Sequence, residues 1–211
     1  MSPAKNRFFA IVNPAAGGGK SARLAGPALA RLREKGLHID VIASTCPGHA
    51  VQLARESYAQ GYRKFLAVGG DGTAHEILNG IFAGNPATER ISLGFLPLGT
   101  GNSFLRDFTD QGAEASLDAL LANRTRPVDL IRLAHASGEI YSFNILSVGF
   151  TADVGALTNR VFKPLGHLGY LFGVLVGVIE DSDRPVISAG LDRLEQGQIQ
   201  LPLPDRQDLF P

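Results

Sequence analysis

The stretch "KFLAVGGDGTAHEILNG", Lys64 to Gly80, decides how this chain folds. "KFLAVGG" is an apolar strand that runs straight into two glycines, and "TAHEILNGIFAG" is the helix that follows them. A strand with no polar alternation belongs in a parallel sheet covered on both faces. Working outward, the same rhythm recurs. "RFFAIV" reads as a strand before a glycine loop and an amphipathic helix from about Ser21 to Lys35. "LHIDVIAS" and "GHAVQLARESYAQG" are the next strand and helix, and "ISLGFLPLG" is a fourth strand. The expectation is an α/β fold whose N-terminal domain, residues 1–125, is built on a parallel sheet.

Beyond Arg126 the texture changes. "RPVDLIRLAHASGEIYSFNILSVGF" holds two β-like runs joined by a Ser-Gly turn, which suggests an antiparallel hairpin opening a second, β-rich domain over 126–211. That domain reads as incomplete, because two or three strands and a helix do not close a β-unit. "PLGHLGYLFGVLVGVI", Pro164 to Ile179, carries no charge apart from His167. Its sixteen residues fall short of the roughly 20 that span a bilayer. It reads as a buried glycine-rich helix, with contact to a lipid surface or tail as the alternative. An irregular, proline-punctuated tail follows.

Composition narrows the class. Lysine and arginine number 20, aspartate and glutamate also 20, so no global field draws the chain toward nucleic acid. A single cysteine, Cys46, excludes an internal disulfide and a cysteine-rich zinc site, and fits a reducing, cytoplasmic setting. The N-terminal apolar run is short and ends in Asn-Pro, which reads as a first strand and not a signal peptide.

Ligands of open parallel sheets bind at the carboxyl ends of the strands, and three glycine loops fall there. They are "NPAAGGGK" after strand one, "GGDGT" (Gly69 to Thr73) after strand three, and "PLGTGNSF" (Pro97 to Phe104) after strand four. The first resembles the ATP-cradling P-loop up to its closing Lys20-Ser21, but Pro14 stands where that motif needs a glycine. In "GGDGT" the glycines allow close backbone approach to a ligand. Thr73 lies where the next helix is expected to begin, so that free N–H groups of its first turn point at a phosphate. Asp71, between glycines, is expected to have no neighbouring side chain over its carboxylate, free to hold Mg²⁺ or accept a proton from an attacking hydroxyl. The plainer reading is an Asx-turn in which Asp71 bonds its own backbone.

"VNPAAGGGK", "GGDGTAHEILNG" and "LPLGTGNSFLRDF", in this order and spacing, resemble the diacylglycerol kinase catalytic domain, a group that includes bacterial lipid kinases, sphingosine kinases and ceramide kinases. The resemblance is strong over Phe8 to Asp107 and weaker through "SFNILSVGFTADV", which is similar to the start of that family's β-sandwich domain. "GGDGT" alone is shared with NAD kinases; "PLGTGN" at this distance distinguishes the lipid kinases. The resemblance implies an ATP- and Mg²⁺-dependent kinase acting on a lipid hydroxyl at a membrane surface, by transient peripheral contact. Asn13 and Pro14 would shape the loop beside the adenine nucleotide, and Thr45, or else Ser44, would contact it. Gly69, Gly70, Asp71, Gly72 and Thr73 would wrap the triphosphate, while Thr100, Gly101 and Asn102 complete the cleft. Asp71 matches the catalytic base of the sphingosine kinase branch, whereas the bacterial branch places its base in the C-terminal domain. Ser103 stands where the family more usually has Asp, and no metal ligand is assigned.

Other candidates carry two readings each. Glu76 is either a ligand or a first-turn acid favoured by the helix dipole. Lys20 either neutralises phosphate or simply opens a helix. His49 reads as a surface or capping residue, His75 as a solvated helix position, and Asp153 as a turn acid with a metal or substrate role as the alternative. The resemblance also implies a longer second domain with an acidic motif, which is not found after about Leu194. Two explanations stand: a truncated member with its nucleotide half intact, or a short form completed by a partner chain or a homodimer. An NAD kinase-like enzyme of a soluble acceptor and a nucleotide-binding module without catalysis remain the alternatives to a lipid kinase.

Overall fold

A computed structural model describes residues 7–84, 89–106, 112–135 and 138–143. The described residues up to 130, together with 138–143, belong to one compact unit; residues 131–135 belong to a second. In the first unit, strands β1 (Phe8–Val12), β2 (Ile39–Ala43), β3 (Lys64–Gly69) and β4 (Ser92–Pro97) form a parallel sheet in the order β2-β1-β3-β4. Between them run α1 (Lys20–Glu34), α2 (His49–Ala59) and α3 (Asp71–Phe82). The expected α/β architecture is therefore present.

The register sorts the apolar residues onto two faces. Val12 lies beside Val68, and Val68 beside Leu96, so side chains of one parity stack across three strands. Ala10, Val12, Leu66, Val68 and Leu96 meet Ala25, Leu29 and Leu32 of α1 on one face. Ile11, Phe65 and Ala67 meet Leu53 and Ala54 of α2 and Ile77 and Ile81 of α3 on the other. Successive residues of one strand point to opposite faces, and both faces are covered. That is why the central strands read as unbroken apolar runs.

Among the described residues, two further helices follow β4: the short α4 (Ser103–Arg106) and α5 (Gly112–Leu121). The strand-helix alternation above does not include α5. Its Leu117 is buried against the α1 face of the sheet, and the spacing of Ala113, Leu117, Leu120 and Leu121 carries that signal. Strand β6 (Gly138–Ser142) belongs to the first unit and packs on α3: Asn79 Nδ2 donates to the Tyr141 carbonyl at 2.8 Å, and the Tyr141 N–H returns a 2.9 Å bond to Asn79 Oδ1. Strand β5 (Ile131–His135) is the described part of the second unit. The expectations for Asp153, for the run from Pro164 to Ile179 and for the tail lie outside the described residues.

At the amino end of the sheet, Tyr62 donates to Asp40 Oδ2 at 2.6 Å, and Arg7 pairs with Asp40 Oδ1 at 2.5 Å. The hydrogen bond to Asp40, with partial burial, raises the Tyr62 phenol above its ordinary value. This end of the sheet is a structural clasp. The carboxyl end is different.

Candidate functional site

At the carboxyl ends of β1, β3 and β4 the three glycine loops come together. After β1, Asn13 Oδ1 accepts the Ala15 N–H at 3.1 Å and starts the turn. Gly17, Gly18 and Gly19 all take left-handed φ, between 61° and 87°, and deliver the chain to α1. Such a run excludes ordinary side chains, and a Cβ on Gly17 would collide with the Leu98 carbonyl of the third loop. The first and third loops are thus in contact through a glycine. Lys20 is exposed at the first position of α1.

The second and third loops touch backbone to backbone. A Cβ on Gly99 would stand 2.5 Å from Gly70 Cα and 2.9 Å from Gly70 N. The N–H groups of Leu98 and Gly99 donate to the Gly69 carbonyl at 2.8 and 2.9 Å. Asn102, at φ 50°, turns its amide inward and donates to the carbonyls of Gly99 (2.9 Å) and Pro97 (3.3 Å), bracing its own loop. Asn102 Oδ1 and Thr73 Oγ1 are buried oxygens without a hydrogen-bond partner, a costly condition that leaves acceptor capacity unmet at this junction. Thr100, Gly101 and Gly72 form its exposed rim.

The structure corrects two expectations at Asp71. The helix begins at Asp71 and not at Thr73: Gly70 is its N-cap, and the Thr73 N–H already donates to the Gly70 carbonyl at 3.0 Å. An aspartate at the first helical position is favoured by the dipole, which explains the earlier start. The first-turn N–H groups without an intrahelical carbonyl are therefore those of Asp71 and Gly72. Nor is the carboxylate uncovered. Oδ2 accepts the Ser103 N–H at 2.8 Å and the Ser103 hydroxyl at 3.1 Å, and Oδ1 accepts the Phe104 N–H at 3.3 Å. Asp71 caps α4 across the junction, instead of bonding its own backbone in an Asx-turn.

Other residues find structural work. Glu76 Oε2 accepts the Ala50 N–H at 3.2 Å, so this acid stabilises the start of the neighbouring helix α2. Ser44 places its hydroxyl 3.3 Å from the Val12 carbonyl, as donor. Thr45 is exposed at the end of β2, with its N–H on His49 Nδ1. His75 is exposed on α3. Missing from the sequence reading were the clamp between Asp71 and Ser103 and the pairing of Asn79 with Tyr141; both join residues far apart in the chain.

Among the described residues, no group of three or more His, Cys, Asp or Glu stands together. A lone carboxylate still suits Mg²⁺, which keeps several waters and takes one or two carboxylates beside ligand phosphates. Of about four acceptor directions on a carboxylate, Asp71 uses three. The remaining one, the N–H groups of Asp71 and Gly72, the unpartnered Thr73 Oγ1 and Asn102 Oδ1, and the open space around Gly72 make up the site's free capacity. No helix among the described residues is long and apolar enough to cross a membrane.

Comparison with known proteins follows the same residues. The model of the diacylglycerol kinase catalytic domain matches residues 7–133, more than half of the chain. A Xanthomonas axonopodis protein named "Probable lipid kinase YegS-like" is 36% identical over 148 residues, 68% of this chain and 48% of its own. A Mycobacterium tuberculosis protein named diacylglycerol kinase is 30% identical over 172 residues, 80% of this chain and 54% of its own. A solved Bacillus anthracis structure, described as "a putative diacylglycerol kinase", superposes with a TM-score of 0.55 at 24% identity, over 75% of this chain and 56% of that one; it shares the fold. The chain spans about half the length of the curated relatives it matches.

Proposed function

The chain belongs to the diacylglycerol kinase catalytic domain family, and on that premise we propose that it is an ATP-dependent lipid kinase. It transfers the γ-phosphoryl group of ATP to a hydroxyl of diacylglycerol or of a sphingoid-like lipid, met at a membrane surface. The observation that carries this reading is the backbone contact of Gly70 with Gly99, tied by the Asp71 carboxylate on Ser103. Beside it, open space at Gly72 lies in the first turn of α3, where N–H groups and the positive end of the helix favour phosphate.

The roles are those the family resemblance implies, supported by the meeting of the three glycine loops at one sheet edge. Asn13 and Pro14 turn the first loop beside the nucleotide, and Thr45 contacts it from the end of β2. Gly69, Gly70, Gly72 and Thr73 shape the triphosphate seat, and Thr100, Gly101 and Asn102 close it from the third loop. When bound, ATP supplies the phosphoryl group and Mg²⁺ the charge neutralisation on which phosphoryl transfer depends. Asp71 is the catalytic carboxylate, holding the two loops in register and offering its remaining acceptor direction to the cation or to the lipid hydroxyl's proton.

Incubating the protein with γ-labelled ATP·Mg²⁺ and, side by side, mixed micelles of diacylglycerol, sphingosine or a solution of NAD tests the acceptor. Label in the extracted lipid supports the reading. Label in NAD alone moves the assignment to a soluble acceptor. ATP binding with no labelled product supports a nucleotide-binding module without catalysis.

A further inference from the structure

Thr45 and His49, four residues apart, form a pair whose chemistry is fixed by a single donor. The Thr45 N–H donates to His49 Nδ1 at 3.1 Å. An amide N–H can only donate, so Nδ1 carries a lone pair and the ring proton sits on Nε2. The Thr45 hydroxyl lies 2.9 Å from that same nitrogen. The Nδ1 lone pair, shared between the N–H and the hydroxyl, is a nearer and stronger acceptor than Cys46 Sγ at 4.0 Å, so the hydroxyl turns its proton toward the ring and its oxygen is left outward as an acceptor.

The surroundings hold this arrangement. The His49 N–H donates to the Cys46 carbonyl at 3.2 Å, and the next N–H, of Ala50, is taken by Glu76 from α3. The imidazole therefore stands on a helix start fixed from two sides. The neighbouring hydroxyl of Ser44 donates to the Val12 carbonyl, as does its own N–H, so its orientation does not depend on His49.

We propose that His49 is a positioning residue that presets the Thr45 hydroxyl as a hydrogen-bond acceptor, so that this corner of the site selects a nucleotide group that donates, an exocyclic amino group or a hydroxyl. The proposal rests on the nucleotide-site reading above and adds a residue which that reading does not use.

Two measurements on the full chain separate its failure from failure of that reading. Without nucleotide, ¹⁵N NMR of the imidazole reports the tautomer; a neutral ring protonated on Nε2 is expected for His49, and an Nδ1-protonated ring overturns the proposal. In ATP·Mg²⁺ titrations, His49→Ala and Thr45→Val are each expected to weaken binding by roughly threefold to tenfold, as loss of one hydrogen bond does. The double variant should lose no more than either single one, because both act through one bond. His49→Asn, whose Oδ1 can accept the same N–H, should retain the wild-type affinity. Melting temperatures run alongside identify any loss that is only structural. Inosine triphosphate and 2′-deoxy-ATP identify the selected group: the penalty for the analogue lacking it should vanish in Thr45→Val. Additive losses, or unchanged affinity in His49→Ala, overturn the proposal alone. No ATP binding by the wild type contradicts the nucleotide reading and the proposal with it.

Discussion

Asp71 holds Ser103. Its Oδ2 takes both the N–H and the hydroxyl of that residue, at 2.8 and 3.1 Å, although the two are 32 positions apart. The contact joins the loop after β3 to the loop after β4, and so couples the residue expected to do chemistry to the shape of the cleft around it. Asp71→Asn keeps the size of the side chain but offers one acceptor oxygen and an amide that faces donors. The expected result is a stability loss of about 1–3 kcal/mol, seen in denaturant unfolding, together with loss of phosphotransfer. Unchanged kinase activity in this variant would remove Asp71 from the mechanism.

Two glycines separate the needs of the fold from those of the ligand. A Cβ on Gly72 meets nothing within 4 Å, whereas one on Gly99 runs into the Gly70 backbone. Gly72→Ala, at the second helical position, should leave the melting temperature unchanged or raise it by the equivalent of about 0.5–1 kcal/mol, while weakening ATP. Gly99→Ala should cost roughly 1–3 kcal/mol, as overpacking does, and weaken ATP as well. If Gly72→Ala binds ATP as tightly as the wild type, the open space at Gly72 is not the phosphate seat.

Much of this site was legible in the chain. Unbroken apolar runs such as "FLAV" announce strands covered on both faces, and glycines directly after them mark the ligand edge. What escaped were relations that exist only once β3 and β4 lie side by side. Gly69 pairs with Pro97 in the register, and that pairing alone brings Asp71 within reach of Ser103. Spacing along the chain carries no trace of it. The start of α3 was misplaced by two residues because glycines flanking Asp71 read as loop, while the cap at Gly70 and the dipole's preference for an acid favour helix.

Asn79 docks β6 on α3 through two hydrogen bonds with the Tyr141 backbone. Asn79→Ala removes both of those hydrogen bonds in a half-buried place, and a loss of about 1–3 kcal/mol is expected. Hydrogen exchange of the Tyr141 amide should accelerate in the variant. Equal exchange in the two proteins would show that the side chain does not hold the strand.

Tyr62 gives the fold a dependence on alkaline pH. Its phenol is raised above the ordinary value near 10, first by the hydrogen bond to Asp40 and then by burial. The folded state therefore holds this proton more tightly than the unfolded one. The associated stability is complete below pH about 10 and falls away as pH rises through the folded value. Unfolding followed across that window should show a decline that is smaller in Tyr62→Phe. An identical decline in both proteins would assign it to other groups.

The central claim is phosphoryl transfer to a lipid from a nucleotide seated between Gly72 and the third glycine loop. Its most direct test is the transfer of label from γ-labelled ATP·Mg²⁺ to a lipid extracted from mixed micelles, with wild type and Asp71→Asn compared at equal folded fraction. The account predicts labelled lipid from the wild type and none from the variant. Folded, ATP-binding wild type that labels no lipid of the diacylglycerol or sphingoid class would contradict it.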